Sequence, residues 1–398
     1  ATSARRFAPR RFQLDFIDFL LTGGGDAADL ALARELVEDL KLDEVDDYFA
    51  ERCTPARGAL TPVDALGGDV AVLYPIVFDD RLEMIWAMGG RLGVERIDVS
   101  GAALGRDIAQ LRYLIDLRLG AIEETSGRLY DLLIRPLEDE LARSGARVIV
   151  VAPDGPLRRL PFAALWSGEA FLGERFGLAT ILSLGLLPQD GSPAANARVL
   201  AAGAEEVPGG YVPLPSVPEE LAAIDRIFDA TLLAEDGFSA AALEAEIARA
   251  PYDIVHIATH AEFGATPADN FIVTRDGALD VTRLEATLRA RAVRANAPVG
   301  LLTLSACNTA ADAGVASERA SLGLAGVGFR SGARSVLASL WPADDQSTAA
   351  LMSKFYEELG AGAGRAEALR RAQAALIDDP ATAEPFQWAN FMLIGDWR

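Results

Sequence analysis

Two histidines and two cysteines are all the imidazole and thiol chemistry available to these 398 residues. His256 and His260 lie four apart in Asp-Ile-Val-His-Ile-Ala-Thr-His (253–260), and Cys307 lies in Leu-Leu-Thr-Leu-Ser-Ala-Cys-Asn-Thr-Ala (301–310). His260 follows a strand-like apolar run, 253–258, and Cys307 follows another, 299–304. A thiolate is the nucleophile of a cysteine hydrolase, and a nearby imidazole supplies the proton that a leaving amine needs. Taken singly, a cysteine after an apolar strand is usually a small core filler, and a lone histidine a satisfied structural residue. Two such residues, each at a strand end, read instead as a pair. In open α/β sheets ligands bind outside the carboxyl ends of the strands. Neighbouring strands would bring both side chains to one rim.

Such a rim needs a sheet, and the flanking pattern provides one. Strand-like runs fall at 147–152 (closed by Pro153-Asp154-Gly155), 198–203, 271–274, 334–340 and 388–394. Helical stretches fall at 239–250, 281–291, 320–331, 345–359 and 365–377. Strands alternating with helices predict an α/β fold: a mostly parallel sheet with helices on both faces and right-handed crossovers. The segment 205–220, with four prolines and two glycines, reads as a surface loop. Upstream the pattern predicts an N-terminal α+β region. It has a helix over 26–52, strands at 70–75, 82–87 and 94–99, and a helical stretch over 104–144 broken near Ser126-Gly127 and again near Pro136. The expected units are an N-terminal helical segment (1–60), an α+β region (61–145) that is a degenerate second half or a regulatory cover, and a catalytic domain (146–398). The 26–52 helix fits an ordinary amphipathic helix or the last hairpin of a repeat array, and no second copy is found.

Composition excludes several classes. The net charge of −21 argues against direct nucleic-acid binding, which needs basic surface. No apolar run reaches transmembrane length, and Asp15 and Asp18 interrupt the only basic-then-apolar start. Cys53 and Cys307 make no disulfide framework, so a reducing cytoplasm is the expected setting. The chain begins at Ala1, so it reads as part of something longer or as a trimmed chain.

The ordered motifs carry a resemblance. Thr259-His260 after an apolar strand, Leu304-Ser305-Ala306-Cys307-Asn308-Thr309, Leu322-Gly323-Leu324-Ala325, Leu340-Trp341-Pro342-Ala343-Asp344-Asp345 and Pro161-Phe162-Ala163-Ala164-Leu165 resemble the CHAT domain, a caspase-like family related to separases. The likeness runs from about 100 to 398, and 26–52 resembles the helical segment, often of tetratricopeptide repeats, that precedes such domains. The resemblance implies a caspase-like sheet and a cysteine endopeptidase with His260 as catalytic histidine and Cys307 as nucleophile. His256 would be a strand residue without a catalytic part. Backbone N–H groups of Ala261 and Cys307 would stabilise the oxyanion. The family usually has glycine where this chain has Ala261. Asp345 matches a separase aspartate lining the pocket for a basic P1 side chain, which implies cleavage after Arg or Lys. An aspartate there also suits a cap for the helix that follows. The resemblance further implies a regulating partner or ligand, a role in bacterial signalling or antiviral defence, and a protein substrate such as a gasdermin-like pore-former. No cofactor or metal is implied.

Other readings compete. The i, i+4 histidines have the spacing of a zinc pair, but that geometry needs a helix, and Ile254, Val255 and Ile257 favour a strand. Gly326-Val327-Gly328 with Gly332 resembles a dinucleotide fingerprint, but it lies inside a helix-like run. The strongest competitor is a catalytically inactive caspase-like scaffold that binds partner proteins.

Overall fold

The computed structural model describes residues 10–22, 26–49, 67–119, 121–187, 197–262, 269–295, 298–306, 330–342 and 344–398. The strands are β1 (Val70–Val77), β2 (Leu82–Met88), β3 (Arg91–Ile97), β4 (Val148–Val151), β5 (Gly177–Thr180), β6 (Val199–Gly203), β7 (Thr231–Ala234), β8 (Ile254–Thr259), β9 (Ala261–Glu262), β10 (Phe271–Thr274), β11 (Gly277–Asp280), β12 (Leu301–Ala306), β13 (Ser335–Ser339) and β14 (Phe391–Gly395). The longer helices are α1 (Arg10–Thr22), α2 (Ala27–Phe49), α3 (Gly101–Asp116), α4 (Glu123–Leu133), α5 (Glu138–Ser144), α6 (Val217–Phe228), α7 (Ala240–Arg249), α8 (Val281–Ala295), α9 (Asp345–Gly360) and α10 (Arg365–Asp378).

Eleven strands form one sheet in the order β3-β2-β1-β4-β5-β14-β13-β12-β8-β6-β7, and β11-β10-β9 form a small second sheet. Pairing is parallel except for β1–β2, β2–β3 and β13–β14, so the expected mostly parallel α/β sheet is what forms. Strand β14 joins the two blocks, antiparallel to β13 and parallel to β5. The α+β region therefore extends the same sheet.

β8 is buried along its whole length. That is the signature of a parallel strand covered on both faces. Alternate residues serve opposite cores. Ile254, Ala258 and Leu301 pack with Leu221 and Ile224 of α6 and Leu351 and Phe355 of α9. Val255, Ile257, Leu302 and Leu304 pack with Leu243 and Ile247 of α7 and Leu284 and Leu288 of α8.

The helix expected over 26–52 is α2, preceded by α1, which the pattern did not announce. Buried polar contacts dock α2 on the sheet. Glu38 accepts from the Tyr74 hydroxyl (2.8 Å) and from Leu184 N (3.0 Å), and Lys41 Nζ donates to the Pro153 carbonyl (2.7 Å) and lies 3.2 Å from Asp154. Two expectations need correction. The break anticipated at Ser126-Gly127 falls instead between α3 and α4, where Arg118 takes φ 51°. Ser126 and Gly127 lie inside α4, where small size lets the helix approach the 164–166 segment: the Ser126 hydroxyl donates to the Ala164 carbonyl, and Gly127 faces that of Trp166. The last strand begins at Phe391, three residues later than its apolar run, because Pro385–Trp388 form a helical turn. Among the described residues no helix is long and apolar enough to cross a membrane.

Candidate active site

β8 and β12 are adjacent and parallel, and their register sets Ala306 opposite Thr259. His260 and Cys307 are the next residue of each chain segment. Cys307 itself lies outside the described residues, as do Asn308, Thr309, Leu322–Ala325, Gly326–Gly328 and Ala343.

His260 is half-buried, and its ring is held from the loop between β6 and α6. Nε2 lies 2.8 Å from the Val212 carbonyl oxygen. A carbonyl only accepts, so Nε2 carries the hydrogen, and in the neutral ring Nδ1 keeps its lone pair for proton transfer. Tyr211 stacks on the imidazole, with centroids 4.8 Å apart and planes 24° apart. The Tyr211 hydroxyl donates to Glu262 at 3.3 Å, and burial, then the Glu262 charge, pushes the phenol's pKa up. Gly209 and Gly210 turn the loop with φ of 106° and 79°, a region open to glycine, and deliver Tyr211 and Val212 back over the ring. The loop can leave β6 so close to β8 because residue 203 is glycine: a Cβ there would sit 2.4 Å from the Ala258 carbonyl oxygen.

Ala261 opens β9. Val273 N donates to the His260 carbonyl at 2.8 Å, so 260 and 273 form a hydrogen-bonded pair of the antiparallel ladder with β10. Antiparallel ladders alternate, so the next pair, Ala261 and Ile272, is not hydrogen-bonded, and the Ala261 N–H faces away from β10. Its φ is not positive; the described non-glycine residues with positive φ are Arg118, Asp229 and Glu235. The backbone thus makes no demand for glycine here.

Asp344 and Asp345 divide the work at the start of α9. Asp344 is the N-cap, accepting from Ser347 N at 3.0 Å, so the cap expected of Asp345 belongs to its neighbour. Asp345 is the first helical residue, and its Oδ2 accepts from Ser216 N at 2.7 Å, across to the end of the His260 loop.

His256 has partners of its own. It is fully buried on β8, with Nδ1 3.1 Å from the Tyr356 hydroxyl, and that hydroxyl lies 2.8 Å from Thr303 Oγ1 of β12. Nε2 stands 2.9 Å from Glu220 Oε1 of α6, in contact but outside hydrogen-bond alignment. Burial, only partly offset by the Thr303 hydrogen bond, pushes the Tyr356 phenol far up, so it stays neutral. His256 and His260 thus have separate partners, and the zinc spacing is coincidental. Sequence reasoning missed Tyr211 and Val212: a tyrosine in a proline-rich loop gives no signal, and a carbonyl has none to give.

The family model described as the CHAT domain matches residues 123–396. Human tetratricopeptide repeat protein 28 is 27% identical over 328 residues, and the match covers 67% of this chain but 13% of that protein. Two structures of Saccharomyces cerevisiae separase in complex with securin superpose with TM-scores of 0.56 and 0.52 at 8% identity. They cover 96% and 91% of this chain and 34% and 31% of theirs.

Proposed function

As the chain belongs to the CHAT domain family and has the caspase-like cysteine-peptidase fold, we propose that it is a cysteine endopeptidase acting through His260 and Cys307. The observation that carries this reading is the adjacency of β8 and β12 in a register that pairs the residues just before them. In the proposed reaction the Cys307 thiol passes its proton to His260 Nδ1, the resulting thiolate attacks the scissile carbonyl carbon, and the N–H groups of Ala261 and Cys307 receive the oxyanion. His260 protonates the departing amine, the C–N bond breaks, and an acyl-enzyme remains. A water, losing its proton to His260, then releases the acid product and restores the thiol. The Val212 carbonyl fixes the Nε2–H tautomer that this shuttle needs.

Asp345 adds a preference for basic P1 residues. One carboxylate oxygen is held by Ser216 N, and the other makes no hydrogen bond among the described residues, which suits a guanidinium. A P1-Arg chloromethyl ketone should label Cys307, and Cys307→Ala and His260→Ala should abolish labelling. Equal turnover of P1-Arg and P1-Leu peptides would remove the specificity claim.

The human relative is named for its repeats, which favours a second reading, a partner-binding scaffold without turnover; an unlabelled Cys307 would support it. Separase was crystallised with securin, which supports control of this chain by a bound protein. A cytoplasmic role in bacterial signalling or defence, with a gasdermin-like substrate, rests on family resemblance, and cleavage of a co-expressed candidate tests it. The division at residues 60 and 145 is likewise a proposal, tested by limited proteolysis.

A further inference from the structure

We infer that Asp345 is a positioning residue for His260: through Ser216 it locks the loop whose Val212 carbonyl fixes the imidazole. The inference rests on the proposed peptidase reading and adds to Asp345 a task separate from substrate recognition.

The loop from 204 to 216 is held at few points. Its base closes where Leu214 N donates to the Glu205 carbonyl at 2.8 Å, and Arg275 Nη1 donates to the Glu206 carbonyl at 2.8 Å. Between those ties Pro208–Gly210 are exposed, Val207 and Tyr211 are half-buried, and Val212 is 76% exposed. Burial of the Val212 side chain therefore contributes little to holding its carbonyl against His260. Leu214 packs against the core and Val207 against the cluster on the sheet's other face, and a further polar restraint lies where the loop enters α6. Ser216 is the N-cap of α6 yet makes no side-chain cap bond, and its own N–H is spent on Asp345 Oδ2 at 2.7 Å. That bond fixes the loop's exit to the first turn of α9, an element anchored in the core by Leu351, Met352, Phe355 and Tyr356. Pro213 and Pro215 stiffen the few residues between the lock and Val212, so a restraint at Ser216 is transmitted to the carbonyl. The ring it holds has one other loop contact, the stack on Tyr211. A stack permits in-plane rotation and exchange of tautomers. Among the described residues, only the carbonyl selects Nε2–H.

The test uses the fact that the chain has only two histidines. With 15N-histidine labelling, the imidazole nitrogens of His260 and His256 are read directly in wild type, Asp345→Ala and Asp345→Asn. His256, buried against Tyr356, is the internal control. The expected wild-type result is a single Nε2–H tautomer at His260. Asp345→Ala should lose it, with the two nitrogens moving toward a common averaged position. Asp345→Asn keeps an oxygen that accepts from Ser216 and should restore the wild-type pattern while losing P1-Arg preference. His256 should be unchanged in all three. Retention of the single tautomer in Asp345→Ala overturns the inference. So does a change at His256 of the same size, because a general loosening would then explain the loss. Neither result depends on turnover, so failure of the peptidase reading would show separately, as an unlabelled Cys307 in the wild-type chain.

Discussion

Tyr356→Phe removes one oxygen from beneath the two strands that lead to the site. That hydroxyl bridges Thr303 of β12 and His256 of β8, which are register partners, at 2.8 and 3.1 Å. All three side chains are fully buried, so no water can substitute. The loss leaves two polar groups short of a partner, at about 1–3 kcal/mol each. Removing the buried hydroxyl's own desolvation penalty offsets about 1–3 kcal/mol. The net cost should be about 2 kcal/mol, which for a chain of this length lowers Tm by roughly 2–3 °C. Tyr130→Phe is the matched control. Its hydroxyl also has two partners, donating to Glu138 and accepting from Arg175, both at 2.6 Å, but these side chains are 31% and 39% exposed. Water replaces the lost oxygen there, and the cost should stay under about 1 kcal/mol. Urea unfolding of both variants, followed by far-UV circular dichroism, makes the comparison. If Tyr356→Phe is no more destabilising than Tyr130→Phe, the network does not hold the strands together.

Three further outcomes are expected. Ala261→Pro removes the proposed oxyanion donor without asking for positive φ; peptide turnover should fall by about 10²–10³-fold while iodoacetamide still alkylates Cys307. Burial, only partly offset by Asp154, lowers the Lys41 pKa from 10.5 to about 7, so the unfolded chain binds more protons between those values and stability should rise with pH across that window. In Lys41→Met this rise should be missing from urea unfolding measured at pH 7, 8.5 and 10. Asp154 is held well below 3.8 by Lys41, Arg10 and Arg158, against burial; its contribution is present above pH 3.8 and lost below it, so Asp154→Asn should flatten the acid limb of the stability profile.

Much of this was legible because buried parallel strands read as near-continuous apolar runs. Ile254–Ala258 and Leu301–Leu304 announce β8 and β12, and the residues after them announce the rim. Pairing was another matter. Nothing local in Phe391–Gly395 says that one edge meets β13 and the other β5, over two hundred residues upstream, so the fusion of two blocks into one sheet was invisible. Buried charge was missed for a related reason. Glu38 and Lys41 look like the solvated face of α2, and only their partners on distant elements, Tyr74 and Asp154, make them interior residues. Asp345 was legible as an aspartate at a helix start, but its bond goes to a backbone N–H, and backbone donors look alike in every sequence.

The same two helices serve the rim and the floor of the site. α6 follows Ser216 at the rim and carries Glu220 beneath β8; α9 begins with Asp345 at the rim and carries Tyr356 beneath β8 and β12. Each helix therefore has one contact bearing on the His260 loop and another bearing on the strands that lead to His260 and Cys307. Packed cores deform little, so α6 and α9 cannot slide against the sheet without disturbing both sets of contacts. This explains how the half-buried His260 imidazole can be held by a largely solvent-facing loop: beyond the packing of Leu214 and Val207, the loop borrows rigidity from two helices fixed from below. Unlike the loop, this floor has no hydrogen bond to His260 among the described residues. Its substitutions should appear first as lost stability, whereas those at Asp345 should appear first in the tautomer of His260.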